Sequence, residues 1–324
     1  INKETFRKEL MRLVEIGVLE PVQESEYGTP VFIIPKKEGT VRFITDFRQV
    51  NSQIVRKPYP IPRIADTLQQ MEGFKYATAL DLNMGYYTIR LDPKSKDLTT
   101  IVTEFGKFRY NVLPMGMSIS GDVFQAKVYE LLGDIEGVKC YIDDILAVCK
   151  GTFAEHIEQL RTVFRRFRKA GLKVNSNKCS FGLKEIPYLG YIITQEGVKP
   201  DPKKIQGIMD IKRPTTVKEV KSLIGLVQYY RDMWQRRSHI LSPLTDVSSG
   251  KRNQKIQWND DLEKAFQEMK RMVSEETFLN YPDWSKPFTV HTDASDRQLG
   301  AVISQDNKPI AFFSRRLLKA QRNY

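Results

Sequence analysis

The chain has 324 residues, of which 41% are hydrophobic and 28% are charged, as in soluble globular proteins with room for two domains. Its 51 Lys and Arg residues outnumber 39 Asp and Glu residues. The resulting net charge of +12 favours a polyanionic partner such as nucleic acid, although charge alone leaves open a basic protein without one. Three cysteines without a CxxC pair and three separated histidines argue against a zinc site.

No apolar run approaches the length that a membrane span requires. The charged N-terminal residues, which lack an initial Met, are unlike a signal peptide and indicate a segment of a longer polypeptide. We therefore expect a protein that is neither secreted nor in a membrane.

The hydrophobic periodicity of the first half predicts several regular elements. In chain order they are a helix at residues 4–16 ended by Gly17, strands at 30–34 and 41–44, a strand at 76–82 and a buried helix at 118–132. A basic hairpin loop separates the first two strands, and a Pro-rich connector occupies residues 58–62. Residues 138–148 are apolar on both sides of Asp143 and Asp144, which indicates two strands joined by a tight turn.

An amphipathic helix at residues 155–170 follows and ends at Gly171. Its polar face is either solvated or a binding surface and carries Arg161, Arg165, Arg166, Arg168 and Lys169. Short helices with N-caps at Asp201, Thr216 and Asn259 come next. A β pattern at residues 288–313 with a turn at Asp306 and Asn307 ends the chain. We predict an α+β fold class and domains over residues 1–195, 196–255 and 256–324.

Two carboxylate sites are the main chemical signal. Asp81 ends an apolar strand, and Asp143 and Asp144 lie at the predicted hairpin tip. Turn chemistry is the ordinary reason for such aspartates. If the sites meet, like charges about 4 Å apart repel by roughly 4 kcal/mol, so that a hard cation would be needed to neutralise them. Oxygen-only ligands indicate Mg²⁺, with Mn²⁺ as an alternative, and two such ions would serve an in-line phosphoryl transfer.

Seven motifs in chain order resemble those of reverse transcriptases, and the set is similar to the gypsy-type LTR retrotransposons with their retrovirus-like Pol polyprotein. They are residues 46–51 (DFRQVN), 81–87 (DLNMGYY), 113–117 (LPMGM), 141–144 (YIDD), 188–190 (YLG), 228–232 (QYYRD) and 292–295 (TDAS). The resemblance implies a right-hand polymerase that copies RNA and DNA templates into DNA. Residues 1–195 would then form fingers and palm, 196–255 the thumb or connection, and 256–324 the first part of an RNase H-like domain.

The resemblance also implies roles for individual residues. The metal ligands would be Asp81, Asp143, Asp144 and the carbonyl of Leu82, while Lys178 would protonate the leaving pyrophosphate. The dNTP site would comprise Lys36 (or Lys37 in its place), Arg42, Tyr86 as a gate against ribose, Met115 and Gly116. The primer grip would be Tyr188, Leu189 and Gly190. The duplex backbone would contact Lys203, Lys204, Arg231, Arg236 and Arg237.

Without the resemblance, an ordinary core tyrosine is an equally good interpretation of Tyr86. Lys36 and Arg42 would then be residues of an exposed hairpin. Two positions depart from the family pattern. Met115 stands where retroviruses often carry Gln, and residues 121–122 are Gly-Asp where relatives often carry Ala-Pro. The second lies at a helix start and is expected not to touch the chemistry.

Asp293 matches the first RNase H carboxylate, but the next required acidic residue would lie beyond residue 324, so that we expect no RNase H activity from this chain. Expected partners are RNA/DNA and DNA/DNA template–primer duplexes, dNTPs and a second subunit, within cytoplasmic virus-like particles. The sequence is also compatible with two other functions. One is a supporting subunit without catalysis, and the other is an RNA-dependent RNA polymerase, which usually lacks the aromatic gate.

Overall fold

The structure, a computed structural model, describes residues 3–35, 41–275, 277–318 and 320–323. The chain forms two compact units. The first comprises Ile1–Arg63 and Tyr76–Gly182, and the second comprises Ile64–Lys75 and Leu183–Tyr324. These units follow from packing alone, so that the division at residues 195 and 255 stays a prediction.

Up to Leu183 the chain mixes helices with short strands. They are α1 (Lys3–Glu15), β1 (Leu19–Pro21), β2 (Thr29–Pro35), β3 (Val41–Thr45), α2 (Arg48–Gln53), α3 (Ile64–Gln69), β4 (Tyr76–Asn83), α4 (Pro93–Lys96), β5 (Ile101–Thr103), β6 (Gly106–Tyr110), α5 (Ser120–Leu132), β7 (Val138–Tyr141), β8 (Asp144–Cys149), α6 (Phe153–Ala170), β9 (Lys173–Val174) and β10 (Ser180–Leu183). Short 3₁₀ helices occupy Gly85–Thr88, Asp97–Thr99 and Ser176–Lys178.

The remaining elements begin with three short strands and end with a β-meander. They are β11 (Ile186–Tyr188), β12 (Tyr191–Ile193), β13 (Gly197–Pro200), α7 (Pro202–Met209), α8 (Val217–Val227), α9 (Arg237–Ile240), α10 (Ser242–Ser248), α11 (Asp260–Ser274), β14 (Leu279–Asn280), β15 (Thr289–Ala294), β16 (Gln298–Gln305) and β17 (Lys308–Arg316). Two further 3₁₀ helices occupy Gln228–Met233 and Ala320–Asn323.

The first unit contains two five-stranded sheets, each with its own hydrophobic core. One sheet has the order β1-β6-β5-β2-β3 and packs with α1 through Leu10 and Leu13. The other has the order β10-β4-β8-β7, with β9 also paired to β4. Its core joins Leu80 and Ile145 of the sheet to Phe124 of α5 and Val163 of α6. Strand β4 is therefore central, with neighbours on both edges.

Local sequence explains why α6 begins and ends where it does. The Thr152 hydroxyl accepts from the Glu155 N–H while the Glu155 carboxylate accepts from the Thr152 N–H, a complete capping box. The helix ends at Gly171, whose φ of 73° lies in the left-handed region that glycine adopts without strain. The helix then packs its buried stripe against the sheet that carries β4 and β8.

The second unit contains a four-stranded sheet, β11-β12-β13-β14, a three-stranded meander, β15-β16-β17, and helices α8, α10 and α11, which pack together. The predicted N-caps Asp201, Thr216 and Asn259 are confirmed, since each side chain accepts from a backbone N–H of its helix. Strands β12 and β13 lie where the sequence indicated only short helices. Strands of three or four residues are too short to display a clear periodicity.

The α+β fold class is confirmed by this mixture of helices and mainly antiparallel sheets. Among the helices of the described ranges, none combines the length and the apolar character that crossing a bilayer would require.

Candidate active site

Two adjacent strands of the first unit bring the predicted carboxylates together. Strand β4 pairs antiparallel with β8, and in this register Asp81 lies directly opposite Asp144. Asp143 precedes β8 at the hairpin tip, and its carbonyl accepts from the Leu82 N–H at 3.4 Å. The predicted hairpin exists, but its two turn residues are Ile142 and Asp143 rather than Asp143 and Asp144, because Asp144 pairs with Tyr141. The pairing places all three aspartates at one end of the sheet.

The hairpin tip holds a strained residue. Ile142 has φ = 54°, in the left-handed region that β-branched residues rarely adopt. The fully buried amide of Gln125 supports this conformation from α5. Its Oε1 accepts from the Ile142 N–H at 2.7 Å, and its Nε2 donates to the Cys140 carbonyl at 3.1 Å. Gln125 was not predicted from the sequence, because its role depends on backbone groups of another element.

Burial and mutual repulsion raise the pKa of two of the carboxyls. Burial, followed by the charges of Asp144 and Asp81, raises the pKa of Asp143 to about 6. Burial and Asp81 also raise the pKa of Asp144, which is the more exposed of the pair. Lys178 acts in the opposite direction, and its Nζ lies 3.6 Å from Oδ2 of Asp81. The cluster is therefore an excess of negative charge that one lysine offsets in part.

The cluster fits a hard divalent cation in its donor chemistry. Within the described part of the chain, Oδ1 of Asp143 is buried and has no hydrogen-bond partner. A buried carboxylate oxygen without a partner is costly unless a cation or a donor satisfies it. As they stand, no three His, Cys, Asp or Glu side chains of the described ranges are arranged to hold a metal ion. The fit thus rests on the all-oxygen donor set and on the unsatisfied oxygen.

A cavity of about 580 Å³ in the first unit is lined by most of the residues predicted to take part in the chemistry. The predicted site residues that line it are Arg42, Asp81, Leu82, Tyr86, Met115, Asp143 and Lys178. Asp144 and Gly116 border the same region without lining the cavity. Arg42 reaches it from β3 and Lys178 from the 3₁₀ helix that follows β9. Lys36, and Lys37 as its alternative, lie outside the described residues.

The Tyr86 ring lies at the inner wall of this cavity, stacked on Phe124 with centroids 4.6 Å apart and planes 23° from parallel. Burial, together with the charge of Asp143, raises the pKa of Tyr86 to about 12, so that its hydroxyl is neutral at physiological pH. A Cβ at Gly85 would lie 2.6 Å from the Phe124 ring. Glycine at position 85 therefore permits the close stacking that fixes the Tyr86 ring.

The loop with Met115 and Gly116 is held by Asn51, another residue whose role was not predicted. The Asn51 side chain donates to the Gly116 carbonyl at 2.9 Å and accepts from the Ser118 N–H at 2.7 Å. Gly116 has φ = 97°, which glycine adopts most readily. Met115 is 47% exposed and so presents its side chain to the cavity rather than to the core.

Asp122, which marks a departure from the family pattern, is buried and accepts from Arg56 at 2.7 Å and from the Tyr59 N–H at 3.2 Å. The side-chain hydrogen bond from Arg56 lowers the pKa of Asp122. It does not line the cavity of the aspartates. The residue ties the connector after α2 to the start of α5.

The remaining predicted residues belong to the second unit. Tyr188 ends β11, and Leu189 and Gly190 form the turn to β12. Lys203, Lys204, Arg231 and Arg236 are exposed. The Arg237 guanidinium instead donates to the carbonyls of Arg231 at 2.6 Å and Ser314 at 2.8 Å, and burial lowers its pKa. Asp293 is exposed on β15, opposite Gly300.

Two family models match the chain. Residues 34–193 match the reverse transcriptase (RNA-dependent DNA polymerase) family, and residues 258–324 match the RNase H-like domain found in reverse transcriptase. The first match contains all three aspartates of the hairpin site, and the second contains Asp293.

Curated relatives include the retrovirus-related Pol polyproteins of the Drosophila melanogaster transposons opus and gypsy. They are 34% and 31% identical over 98% of this chain. The Tf2-7 transposon polyprotein of Schizosaccharomyces pombe is 32% identical over 91%. The chain spans about a third of the length of the opus and gypsy proteins, 33% and 32%.

The solved structures that match include the foamy viral protease-reverse transcriptase in two complexes. One, with double-stranded DNA, has a TM-score of 0.90 and 27% identity over 99% of this chain and 56% of that chain. The other, with an RNA/DNA hybrid, has a TM-score of 0.88 and 26% identity over 99% of this chain and 44% of that chain. The predicted α+β polymerase fold is thereby confirmed. On motifs, family models and fold together, the chain belongs to the reverse transcriptases, among the Pol polyproteins of gypsy-type LTR retrotransposons.

Proposed function

We propose that the chain is a template-directed DNA polymerase that adds dNTPs to a primer 3′-hydroxyl during retroelement replication, using RNA and DNA templates. The observation that carries this proposal is the convergence of Asp81, Asp143 and Asp144 at one end of the β4–β8 pair, beside a cavity that Tyr86 and Arg42 also line. Carboxylates gathered at one end of a strand pair provide the oxygen ligands that divalent-metal phosphoryl transfer requires.

Asp81, Asp143, Asp144 and the Leu82 carbonyl would hold two Mg²⁺ ions, or Mn²⁺ in their place. When bound, such ions lower the pKa of the attacking hydroxyl and neutralise the triphosphate and the leaving pyrophosphate. The chain contributes the rigid geometry. Gln125 holds the tip that carries Asp143, and strand pairing holds Asp81 opposite Asp144. A cation would satisfy the buried Oδ1 of Asp143, which has no hydrogen-bond partner among the described residues.

Other residues of the cavity would orient the nucleotide. Arg42, with Lys36 as its partner, would bind the triphosphate through charge-assisted hydrogen bonds. The Tyr86 ring, fixed by Phe124, would exclude a ribose 2′-hydroxyl by steric contact, which is rejection rather than attraction. Met115 and Gly116 would border the base and sugar, and Lys178, close to Asp81, would donate a proton to the leaving pyrophosphate.

The proposal extends to the template–primer. The foamy viral relatives were solved with double-stranded DNA and with an RNA/DNA hybrid, and the net charge of +12 favours the same ligands here. Tyr188, Leu189 and Gly190 would position the primer end. Lys203, Lys204, Arg231 and Arg236 would contact phosphates without reading sequence. Arg237 could join them only by giving up its two carbonyl partners. Pairing of subunits and residence in cytoplasmic virus-like particles belong to the same proposal.

The decisive experiment is primer extension with Mg²⁺ on RNA and DNA templates, comparing the native chain with Asp143→Asn. Incorporation of dNTPs should fall at least about 100-fold, as when a group that acts on the transition state is lost. Duplex affinity and the unfolding midpoint should change little. Asp306→Asn is the matched control, because asparagine also tolerates the left-handed φ of 49° at that turn.

Three outcomes would contradict the proposal. Undiminished synthesis by Asp143→Asn would remove the aspartate from catalysis. Duplex binding without synthesis by the native chain would support the role of a supporting subunit. Equal or preferred incorporation of rNTPs would favour an RNA polymerase, despite the ring of Tyr86.

A further inference from the structure

The turn between β11 and β12 has a conformation that its sequence does not favour. Its two loop residues, Leu189 and Gly190, have φ values of 46° and 76°, and Tyr188 pairs with Tyr191 across the base of the turn. Positive φ at both positions of a two-residue loop is the pattern of a type I′ turn, which prefers Asn-Gly. Leucine lacks the small polar side chain that tolerates this region. The turn therefore needs support from outside the hairpin.

That support comes from two consecutive tyrosines of the motif at residues 228–232. The Tyr229 hydroxyl donates to the Leu189 carbonyl at 2.5 Å, and the Tyr230 hydroxyl donates to the Gly190 carbonyl at 2.9 Å. Both carbonyls of the turn are thus held by side chains 40 residues further along the chain. The Asp201 N–H adds a second bond to the Gly190 carbonyl at 3.1 Å.

The two tyrosines are themselves fixed. The Tyr191 hydroxyl donates to the Tyr229 carbonyl at 3.0 Å, and the Tyr191 ring lies 5.5 Å from the ring of Tyr229 and 5.3 Å from that of Tyr230. A Cβ at Gly190 would lie 3.2 Å from the Tyr229 ring, which leaves little room for any other residue there. The tyrosines of the hairpin and of the motif therefore pack against one another around the turn.

We propose that Tyr229 and Tyr230 are positioning residues that lock the Leu189–Gly190 turn in the conformation that contacts the primer strand. This inference rests on the proposed function, in which residues 188–190 are the primer grip. A trans peptide holds its N–H opposite its C=O. Anchoring the Leu189 carbonyl therefore also fixes the direction of the Gly190 N–H, a donor suited to a primer phosphate. The tyrosines act through the turn and not on the reacting atoms.

The test uses Tyr229→Phe combined with Tyr230→Phe, which removes only the two hydroxyls and keeps both rings. Dissociation of the template–primer should accelerate by about five-fold for each lost hydrogen bond. The average number of nucleotides added per binding event should fall accordingly. The KM for dNTP and the ratio of dNTP to rNTP incorporation should stay within about two-fold, because neither depends on the turn. A general loss of folding would instead change the KM for dNTP and the sugar selectivity together with the dissociation rate.

The matched control is Tyr281→Phe. Its hydroxyl lies in the second unit and likewise donates to a backbone carbonyl, that of Thr194, at 3.0 Å, away from the turn. It should leave the dissociation rate unchanged. The rescue variant adds Leu189→Asn to the double phenylalanine variant, which turns the loop into Asn-Gly and removes the need for the hydroxyls. Dissociation should return most of the way to the native rate, with Leu189→Asn alone measured beside it.

A second readout is independent of catalysis. Hydrogen exchange at the backbone amides of residues 189–191 should accelerate at least about five-fold without the two hydroxyls and slow again with Leu189→Asn. Unchanged exchange and unchanged dissociation would overturn the positioning role. So would an equal effect of Tyr281→Phe. If exchange responds as expected but the native chain makes no DNA, the lock exists and the proposed function is the part that fails.

Discussion

At the scale of single residues, the hairpin of the proposed catalytic site depends on Gln125 as much as on its aspartates. The amide satisfies the Ile142 N–H and the Cys140 carbonyl at once, and it does so for a β-branched residue in the left-handed region. Such a conformation costs on the order of 1–3 kcal/mol and persists only where its surroundings impose it. The strain at the tip is thus balanced by one buried side chain.

Gln125→Met should therefore impair DNA synthesis more than it impairs folding. The apolar side chain keeps the volume but leaves two buried backbone groups without a partner, which should lower the free energy of unfolding by about 2 kcal/mol. With Ile142 free to relax, Asp143 moves, and kcat should fall at least about 10-fold at a temperature where the variant is folded. Denaturant unfolding and single-turnover extension measure the two effects separately.

Gln159→Met is the control for this prediction. Gln159 also binds two backbone groups with its amide, but both are carbonyls, those of Glu136 and Val148, at the opposite end of the β7–β8 pair. It should lose stability without losing kcat. If both variants lose kcat in proportion to stability, the special role of Gln125 at the hairpin is wrong.

Sequence predicted the aspartates but not the residues that hold them. An aspartate inside an apolar strand contradicts β propensity and so draws attention, as Asp81 did. Gln125 and Asn51 contradict nothing in their own helices. Their roles depend on backbone groups 15 to 67 positions away in the chain, which only the fold brings within 3.1 Å.

At the scale of elements, the joint between α6 and β4 contains a fully buried histidine. His156 Nε2 lies 2.8 Å from the Thr78 hydroxyl, and Nδ1 lies 3.2 Å from Oε1 of Gln159. Since an amide oxygen only accepts, Nδ1 carries the proton and Nε2 accepts from Thr78. Burial lowers the pKa of His156, although the bond to Gln159 opposes the shift.

This joint should make the fold sensitive to mild acid. Because the pKa of His156 is lower in the folded than in the unfolded chain, the unfolded chain takes up the proton first as the pH falls. The stabilisation is present above about pH 6.5, the unfolded value, and is lost as the pH falls through the lower folded value. His156→Gln, which can still accept from Thr78, should weaken this dependence.

The measurement is the free energy of unfolding of both proteins between pH 7.5 and 5.5. The difference between them isolates the histidine, since Asp143 and the other carboxyls titrate in both. If the free energies of unfolding of the two proteins depend on pH in the same way, His156 does not contribute to the pH dependence of stability.

Long elements were predicted well for a physical reason that short ones lack. The helix that ends at Gly171 displays four turns of periodicity and clear signals at both ends. Strands β11, β12 and β13 have three or four residues each, and their pairing depends on partners elsewhere in the chain. For the same reason the turn between β7 and β8 was predicted one residue too late in the chain. Only cross-strand pairing decides which residues form the turn.

At the scale of the whole molecule, the excess of 51 basic over 39 acidic residues predicts binding that weakens steeply with salt. Each phosphate contact releases condensed counterions, so that the logarithm of the affinity falls linearly with that of the salt concentration. If six or more phosphates are contacted, the affinity for a template–primer should fall about 1000-fold or more between 50 and 200 mM salt. Fluorescence anisotropy with a labelled duplex measures the slope.

The same titration distinguishes the basic surfaces of the molecule. Lys203→Ala with Lys204→Ala, at the start of α7, should reduce the slope by about two, one for each lost phosphate contact. Arg168→Ala with Lys169→Ala removes the same charge from the polar face of α6, and the slope should stay unchanged if that face is only solvated. A reduced slope from the α6 pair would make that face part of the duplex-binding surface. A flat salt response of the native chain would remove phosphate contacts as the source of affinity, and with them the reason for the net charge.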